Sequence, residues 1–141
     1  MTYSDASTPA SVAPRAGLLI QVTDPVGRQL NLTWSKQERI ASVTDPNSQT
    51  YAYAYDGNGN LTGVTHPDTT VRTYVYENTS CKNALTGIID ENGNRYSTHG
   101  YDSQCRATST QQAGGAGLVT LSFGSSTRRV RPIPSSPIFL S

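Results

Sequence analysis

The sequence predicts an all-β protein in which consecutive antiparallel β-hairpins form one open, curved sheet. Three observations predict it. Between Thr23 and Thr110 four segments repeat nearly the same pattern, with starts at Thr23, Thr44, Thr65 and Ile89 that step by 21, 21 and 24 residues. Each segment contains a stretch in which apolar or aromatic side chains alternate with polar or small ones, the period of a strand. No window of helical length places apolar residues at three-four spacing. A fixed period of this size marks a repeat architecture, in which one unit cannot bury its own apolar face and relies on its neighbours.

The units cover residues 23–43, 44–64, 65–88 and 89–110, within a repeat sheet over 17–123. Each opens on an acidic or polar turn: Asp24-Pro25, Asp45-Pro46, His66-Pro67 or Asp90-Glu91-Asn92-Gly93. A strand follows that ends in an aromatic residue, Trp34, Tyr55, Tyr76 or Tyr101. Then come a second polar turn and a short strand closing on Val43, Val64, Ile88 or Ser109. Leu30, Leu32 and Trp34 alternate with Gln29, Asn31 and Thr33, and Tyr51, Tyr53 and Tyr55 alternate with Thr50, Ala52 and Ala54, so each run puts one set on one face. Asp56-Gly57-Asn58-Gly59-Asn60 supplies residues that tolerate the positive φ of a tight hairpin. Strands are predicted at 17–24, 28–35, 39–45, 50–56, 60–66, 71–77, 84–90, 95–102, 106–111 and 117–123, each pairing with the next.

The run from Tyr55-Asp56 to Pro67, with its Leu61-Thr62-Gly63-Val64 and following turn, resembles the YD repeat of Rhs (rearrangement hotspot) proteins. So does Leu85-Thr86-Gly87-Ile88-Ile89-Asp90-Glu91-Asn92-Gly93-Asn94-Arg95-Tyr96 leading to Tyr101-Asp102. The family is related to bacterial insecticidal toxin-complex subunits and to teneurins, and the similarity covers about Leu18 to Phe123. In that family many hairpins join into a ribbon that spirals into a hollow shell around a toxic C-terminal domain. The resemblance therefore implies a non-catalytic piece of shell wall, linked to competition between bacteria, whose partners are the remaining repeats or the toxin domain of a larger protein. The toxin itself is absent from this sequence.

Departures from the repeat are specific. The family favours a turn glycine where the first unit has Gly27, but the second has Ser48, the third Thr69, and the second turn of the fourth has Cys105. A side chain with a Cβ is strained at positive φ. Met1–Arg15 is rich in Ser, Thr, Ala and Pro and reads as an irregular N-terminal segment over 1–16, without the basic start and apolar core of a secretory signal. The chain is thus expected to be cytoplasmic as made, whereas intact relatives are exported or associated with the cell surface. Residues 124–141 hold Pro132, Pro134 and Pro137, which exclude a central strand; they are expected to form a disordered tail with the character of a truncated or frame-shifted end.

Charge and length narrow the function further. At 141 residues, 35% apolar and 15% charged, the chain suits a thin sheet better than a thick core, and about ten strands without helices would leave edges and an aromatic face exposed. A net charge of +1 gives no footprint for nucleic acid, the small Arg128, Arg129 and Arg131 cluster being read as solvated. No apolar run is long enough for a membrane span. Cys81 and Cys105 lie in the second turns of consecutive units; whether they pair depends on whether those turns approach, and spacing alone leaves it open.

No catalytic constellation emerges, and neither cofactor nor metal is expected. His66 sits in a turn and His99 on a strand, each without a second ligand at metal spacing. Asp56-Gly57-Asn58-Gly59-Asn60 resembles half a calcium loop, but Leu61 and Pro67 stand where glycine and a bidentate Glu belong. Asn31, Asn60 and Asn78 open Asn-x-Ser/Thr sequons, which matter only in a secreted eukaryotic chain. Beside the wall reading stands a binding module: Tyr51, Tyr53, Tyr55, Tyr74 and Tyr76 form a tyrosine-lined face able to stack on the sugar rings of a glycan.

Overall fold

The computed structural model describes residues 1–124. Eleven strands follow in chain order: β1 (Thr2–Tyr3), β2 (Leu19–Thr23), β3 (Gln29–Trp34), β4 (Ile40–Thr44), β5 (Thr50–Tyr55), β6 (Leu61–Thr65), β7 (Val71–Val75), β8 (Gly87–Ile89), β9 (Arg95–Tyr101), β10 (Ala107–Gln112) and β11 (Val119–Thr120). They form one sheet in which every strand is antiparallel to the next, and the two ends of the sheet do not meet. No α-helix occurs among the described residues; a short 3-10 turn spans Ala113–Gly115. The tail expected after residue 124 lies outside the described residues.

Register separates two faces. Directly opposed residues share a face, so Leu32, Val43 and Tyr51 line up across β3, β4 and β5, as do Tyr53, Val64 and Arg72 across β5, β6 and β7. The other face is polar and small. Gln21 Nε2 donates to Gln29 Oε1 at 3.1 Å and to Asn31 Oδ1 at 2.9 Å, and the Thr33–Ser42 and Thr44–Thr50 hydroxyl pairs continue the row. Among the described residues only Ala13, Leu18, Leu32 and Cys81 are buried apolar residues, and no large side chain is fully buried. The described residues form a single-layer sheet whose aromatic face is half-buried.

All seven simple hairpin turns share one geometry. The first residue's N–H bonds the carbonyl of the fifth, and the fourth residue's N–H bonds the carbonyl of the first. The fourth residue has positive φ each time: Gly27 (86°), Glu38 (56°), Ser48 (62°), Gly59 (81°), Thr69 (71°), Gly93 (80°) and Cys105 (59°). The opening Asp24, Asp45, Asp56, Asp90 and Asp102 each accept two backbone N–H groups through Oδ1, from the third and fifth residues. The aspartate of the repeat is thus the inner brace of its turn. Ser48 and Thr69, aligned with Gly27, and Cys105, which replaces the glycine of a second turn, occupy the strained positions expected of them.

Before three of these turns, those opening at Ser35, Asp56 and Asp102, an aromatic residue ties adjacent strands together. Trp34 Nε1 donates to the Leu19 carbonyl at 2.9 Å, Tyr55 Oη to the Ile40 carbonyl at 3.0 Å and Tyr101 Oη to the Leu85 carbonyl at 2.9 Å. Just beyond the turn the register slips by one residue in four hairpins, leaving Ala41, Thr62, Tyr96 and Thr108 as single-residue bulges. The period of the sequence therefore reappears as a period of tertiary contacts.

The insertion that lengthens the third unit is a strap across one rim. Cys81 is disulfide-bonded to Cys105, with Cα atoms 5.6 Å apart, and Asn60 Nδ2 donates to the Lys82 carbonyl at 2.9 Å. One loop is thereby fastened to the turns on both sides of it. At the opposite end of the sheet the N-terminal segment folds back instead of trailing. Ser4 N–H donates to the Leu18 carbonyl and Trp34 N–H to that of Val12, both at 2.8 Å, while Arg15 grips Glu38. Among the described residues both outermost strands are only two residues long, and the sheet stays open at both ends, as the sequence leads one to expect.

Candidate functional site

Strand β5 presents Tyr51, Tyr53 and Tyr55 at alternate positions, all half-buried on the aromatic face. Tyr74 lies on that face in β7, opposite Ile88, and Tyr76 follows one residue past the end of the strand. The five tyrosines do not form one platform. Between the two groups stands β6, and Arg72 interrupts the row in line with Tyr53 and Val64. The run on β5 is the continuous part.

Two open depressions flank that run, one at each rim. The first, of about 820 Å³, lies beside Tyr51 and is lined by Gln49, His66, Asp68, Glu91 and Asn92. His66 stands where other units have Asp, Glu91 where they have Pro, and Arg72 where they have an apolar residue. These three departures meet. Arg72 Nε lies 3.0 Å from Glu91 Oε1 and a terminal nitrogen 3.2 Å from Oε2, a forked pair that holds the Glu91 carboxyl below its usual range and raises the guanidinium. His66 Nε2 is 3.2 Å from Glu91 Oε1 but poorly aligned, so this buried nitrogen has no hydrogen-bond partner, and the ring sits edge-on to Tyr51 at 5.7 Å.

The second depression, of about 600 Å³, opens between the 35–39 and 56–60 turns and is lined by Tyr53, Tyr55, Arg39, Ser35, Gln37 and Asn58. The Arg39 guanidinium lies 5.5 Å from the centre of the Tyr55 ring. Burial pushes the Tyr55 phenol up, and the charge of Arg39 acts against that shift. Because the Tyr55 hydroxyl is already spent on the Ile40 carbonyl, this residue offers a ring and not a free donor.

The remaining histidine is held within the sheet. His99 Nδ1 is 3.0 Å from Thr110 Oγ1 and Nε2 is 3.2 Å from Ser97 Oγ. Among the described residues no three His, Cys, Asp or Glu side chains converge as a metal site, and no helix is long and apolar enough to cross a membrane. Sequence reasoning found the tyrosines and missed Arg39, whose only signal was a basic residue just past a second-turn position. It also missed the Arg72–Glu91 pair, which joins residues 19 apart on different hairpins.

The RHS Repeat family model matches residues 34–71, from the end of β3 to the start of β7. That segment contains two braced turns, the Tyr55 tie and the whole β5 tyrosine run. The search of curated proteins found no match.

Proposed function

For this chain, which is an Rhs/YD-repeat family protein, we propose a non-catalytic structural role: a segment of the repeat wall that in a larger protein encloses a C-terminal toxin used in competition between bacteria. One observation carries the reading: a single-layer sheet with one aromatic face and one polar face, its side chains spent on bracing turns and tying neighbours. A partition needs little else. Wall elements gain from regular register and from rims that can be fastened, and the Cys81–Cys105 strap is such a fastening.

A second reading, a glycan-binding module, is favoured by the depression in which Arg39 overlies Tyr55 beside Tyr53. The wall reading is tested in the flanking DNA. It expects a neighbouring frame with more units of the same spacing, leading to a domain that arrests growth when expressed alone and is silent when joined to the repeats. A neighbourhood without repeats, or a domain equally toxic in both forms, contradicts it.

A further inference from the structure

The strap between β7 and β8 is fixed at its feet without help from its disulfide. Thr86 N–H donates to the Val75 carbonyl at 2.7 Å, Glu77 N–H to Thr86 Oγ1 at 2.9 Å, and Tyr101 Oη to the Leu85 carbonyl at 2.9 Å. From β9, Arg95 holds the Glu77 carboxylate at 2.8 Å. The tip is turned by its own groups: Asn78 Oδ1 accepts the N–H groups of Ser80 and Cys81, and Ala84 N–H donates to the Cys81 carbonyl. Cys105 sits in a turn that braces itself as well, through Asp102 Oδ1 and the Gln104 and Arg106 N–H groups. The disulfide therefore joins two elements that are each held independently of it, and breaking it frees a tip and not a sheet.

The two sulfurs are not equivalent. Cys81 is 5% exposed, whereas Cys105 is exposed on its turn. An open depression of about 630 Å³ runs beside the bond, lined by Ser80, Lys82, Asn83, Leu85 and Tyr101. A small peptide thiol fits a space of that size, small-ligand sites spanning roughly 300–1,000 Å³. Acceptors also stand ready for both thiols that reduction would produce: the Asp102 carbonyl lies 3.9 Å from Cys81 Sγ and the Ser80 carbonyl 4.0 Å from Cys105 Sγ. Either redox state of the strap is thus provided for.

We propose that the Cys81–Cys105 bond is a thiol-exchange site, a latch for the strap that reductants work through Cys105. A thiolate of glutathione or of a Cys-x-x-Cys protein attacks Cys105 Sγ, the S–S bond breaks, and the electron pair leaves on Cys81 Sγ, which takes up a proton. A second thiolate attacks the reductant's sulfur in the mixed disulfide, and Cys105 leaves as a thiolate and is protonated. The reductant ends as its own disulfide, two electrons having passed to the protein. Run in reverse by a disulfide oxidant, the same steps close the latch. The tip is released where thiols are kept reduced and fastened where they are oxidised. The inference stands on the strap alone and is independent of both the wall and the glycan readings.

Lys82 supplies the readout, being exposed at the tip and the one Lys or Arg between Arg72 and Arg95. The oxidised 141-residue chain is treated with reduced glutathione, quenched with iodoacetamide and mapped by mass spectrometry. Glutathione is expected on Cys105 with Cys81 alkylated, in about tenfold excess over the reverse arrangement. Limited trypsin digestion is then compared between the oxidised and reduced chains. Reduction is expected to speed cleavage after Lys82 about tenfold, to leave cleavage after Lys36 in the 35–39 turn unchanged, and to be reversed by oxidised glutathione. Cys81→Ser is expected to be cut at the reduced rate with or without reductant. Glutathione on Cys81 in equal or greater amount, a bond that glutathione does not reduce, cleavage after Lys82 that ignores reduction, or equal acceleration at Lys36 and Lys82 would each overturn the assignment. None of these outcomes bears on the flanking-DNA test of the wall.

Discussion

The hydroxyl of Tyr55 donates a 3.0 Å hydrogen bond to the carbonyl of Ile40, 15 residues earlier, on the strand that precedes its own hairpin. Trp34 and Tyr101 make the corresponding bond to Leu19 and Leu85. In a sheet without a thick core, such ties link one repeat to the next at a fixed place.

Removing one tie should loosen one seam. Tyr55→Phe and Tyr101→Phe each keep the ring and lose the donor, and each is expected to cost about 0.5–1.5 kcal/mol in denaturant unfolding. Tyr76, whose hydroxyl has no such partner among the described residues, is the control: Tyr76→Phe should be near neutral. Equal losses at all three positions would contradict the role assigned to the bond.

The seven equivalent turns differ in what they place at positive φ. Thr69 is β-branched at 71° and Ser48 sits at 62°, where the first unit has Gly27. Thr69→Gly and Ser48→Gly are expected to raise stability by about 1 kcal/mol each, the relief of a left-handed L-residue. Gly59→Ala should do the reverse, because it adds a Cβ at 81° and displaces Arg39. Thermal melting of the three variants checks the signs.

Much of this was legible in the sequence, and the reason is periodicity. The positions of the turns, the strained Ser48, Thr69 and Cys105, and the aromatic face follow from aligning units, because each depends on residues close in the chain. What was not legible depends on residues that depart from the period and meet through space. Arg72 and Glu91 find each other across two hairpins, Arg39 reaches Tyr55, and Cys81 meets Cys105 only because its insertion folds back over the rim. Strand β1 is two residues long within an aperiodic segment, so no pattern could announce it.

The strap should be worth measuring by reduction. The disulfide closes a loop of 24 residues, for which chain entropy gives about 3 kcal/mol. Cys81→Ser is expected to lose roughly that amount, and adding Cys105→Gly should return about 1 kcal/mol, since the residue at 59° no longer carries a Cβ. Urea unfolding with and without reductant checks both, and an unchanged midpoint on reduction would contradict the strap.

Acid should weaken the array. Native Asp24, Asp56 and Asp102 carboxyls lie below their ordinary range, held down chiefly by the Arg28 side chain, the Asn60 side chain and the Arg106 backbone N–H respectively. With native values lowered, the unfolded chain binds protons first. The stabilisation is therefore complete above the unfolded-state values and is lost as pH falls through the native ones, which places the decline below about pH 5. Melting temperature should be flat above that point and fall beneath it, with a shallower fall in Asp56→Asn; a rise on acidification would contradict the turn-brace account.

The open single-layer ribbon itself is tested most directly by a distance between spin labels at Val26 and Asn92, both exposed on turns of the same rim. Six strand steps separate the β2–β3 turn from the β8–β9 turn, and at about 4.8 Å per step the labels should lie about 25–30 Å apart. A single distribution in that range is the predicted result. One centred below about 15 Å, as a sheet curled shut on itself would give at the same strand spacing, would contradict it.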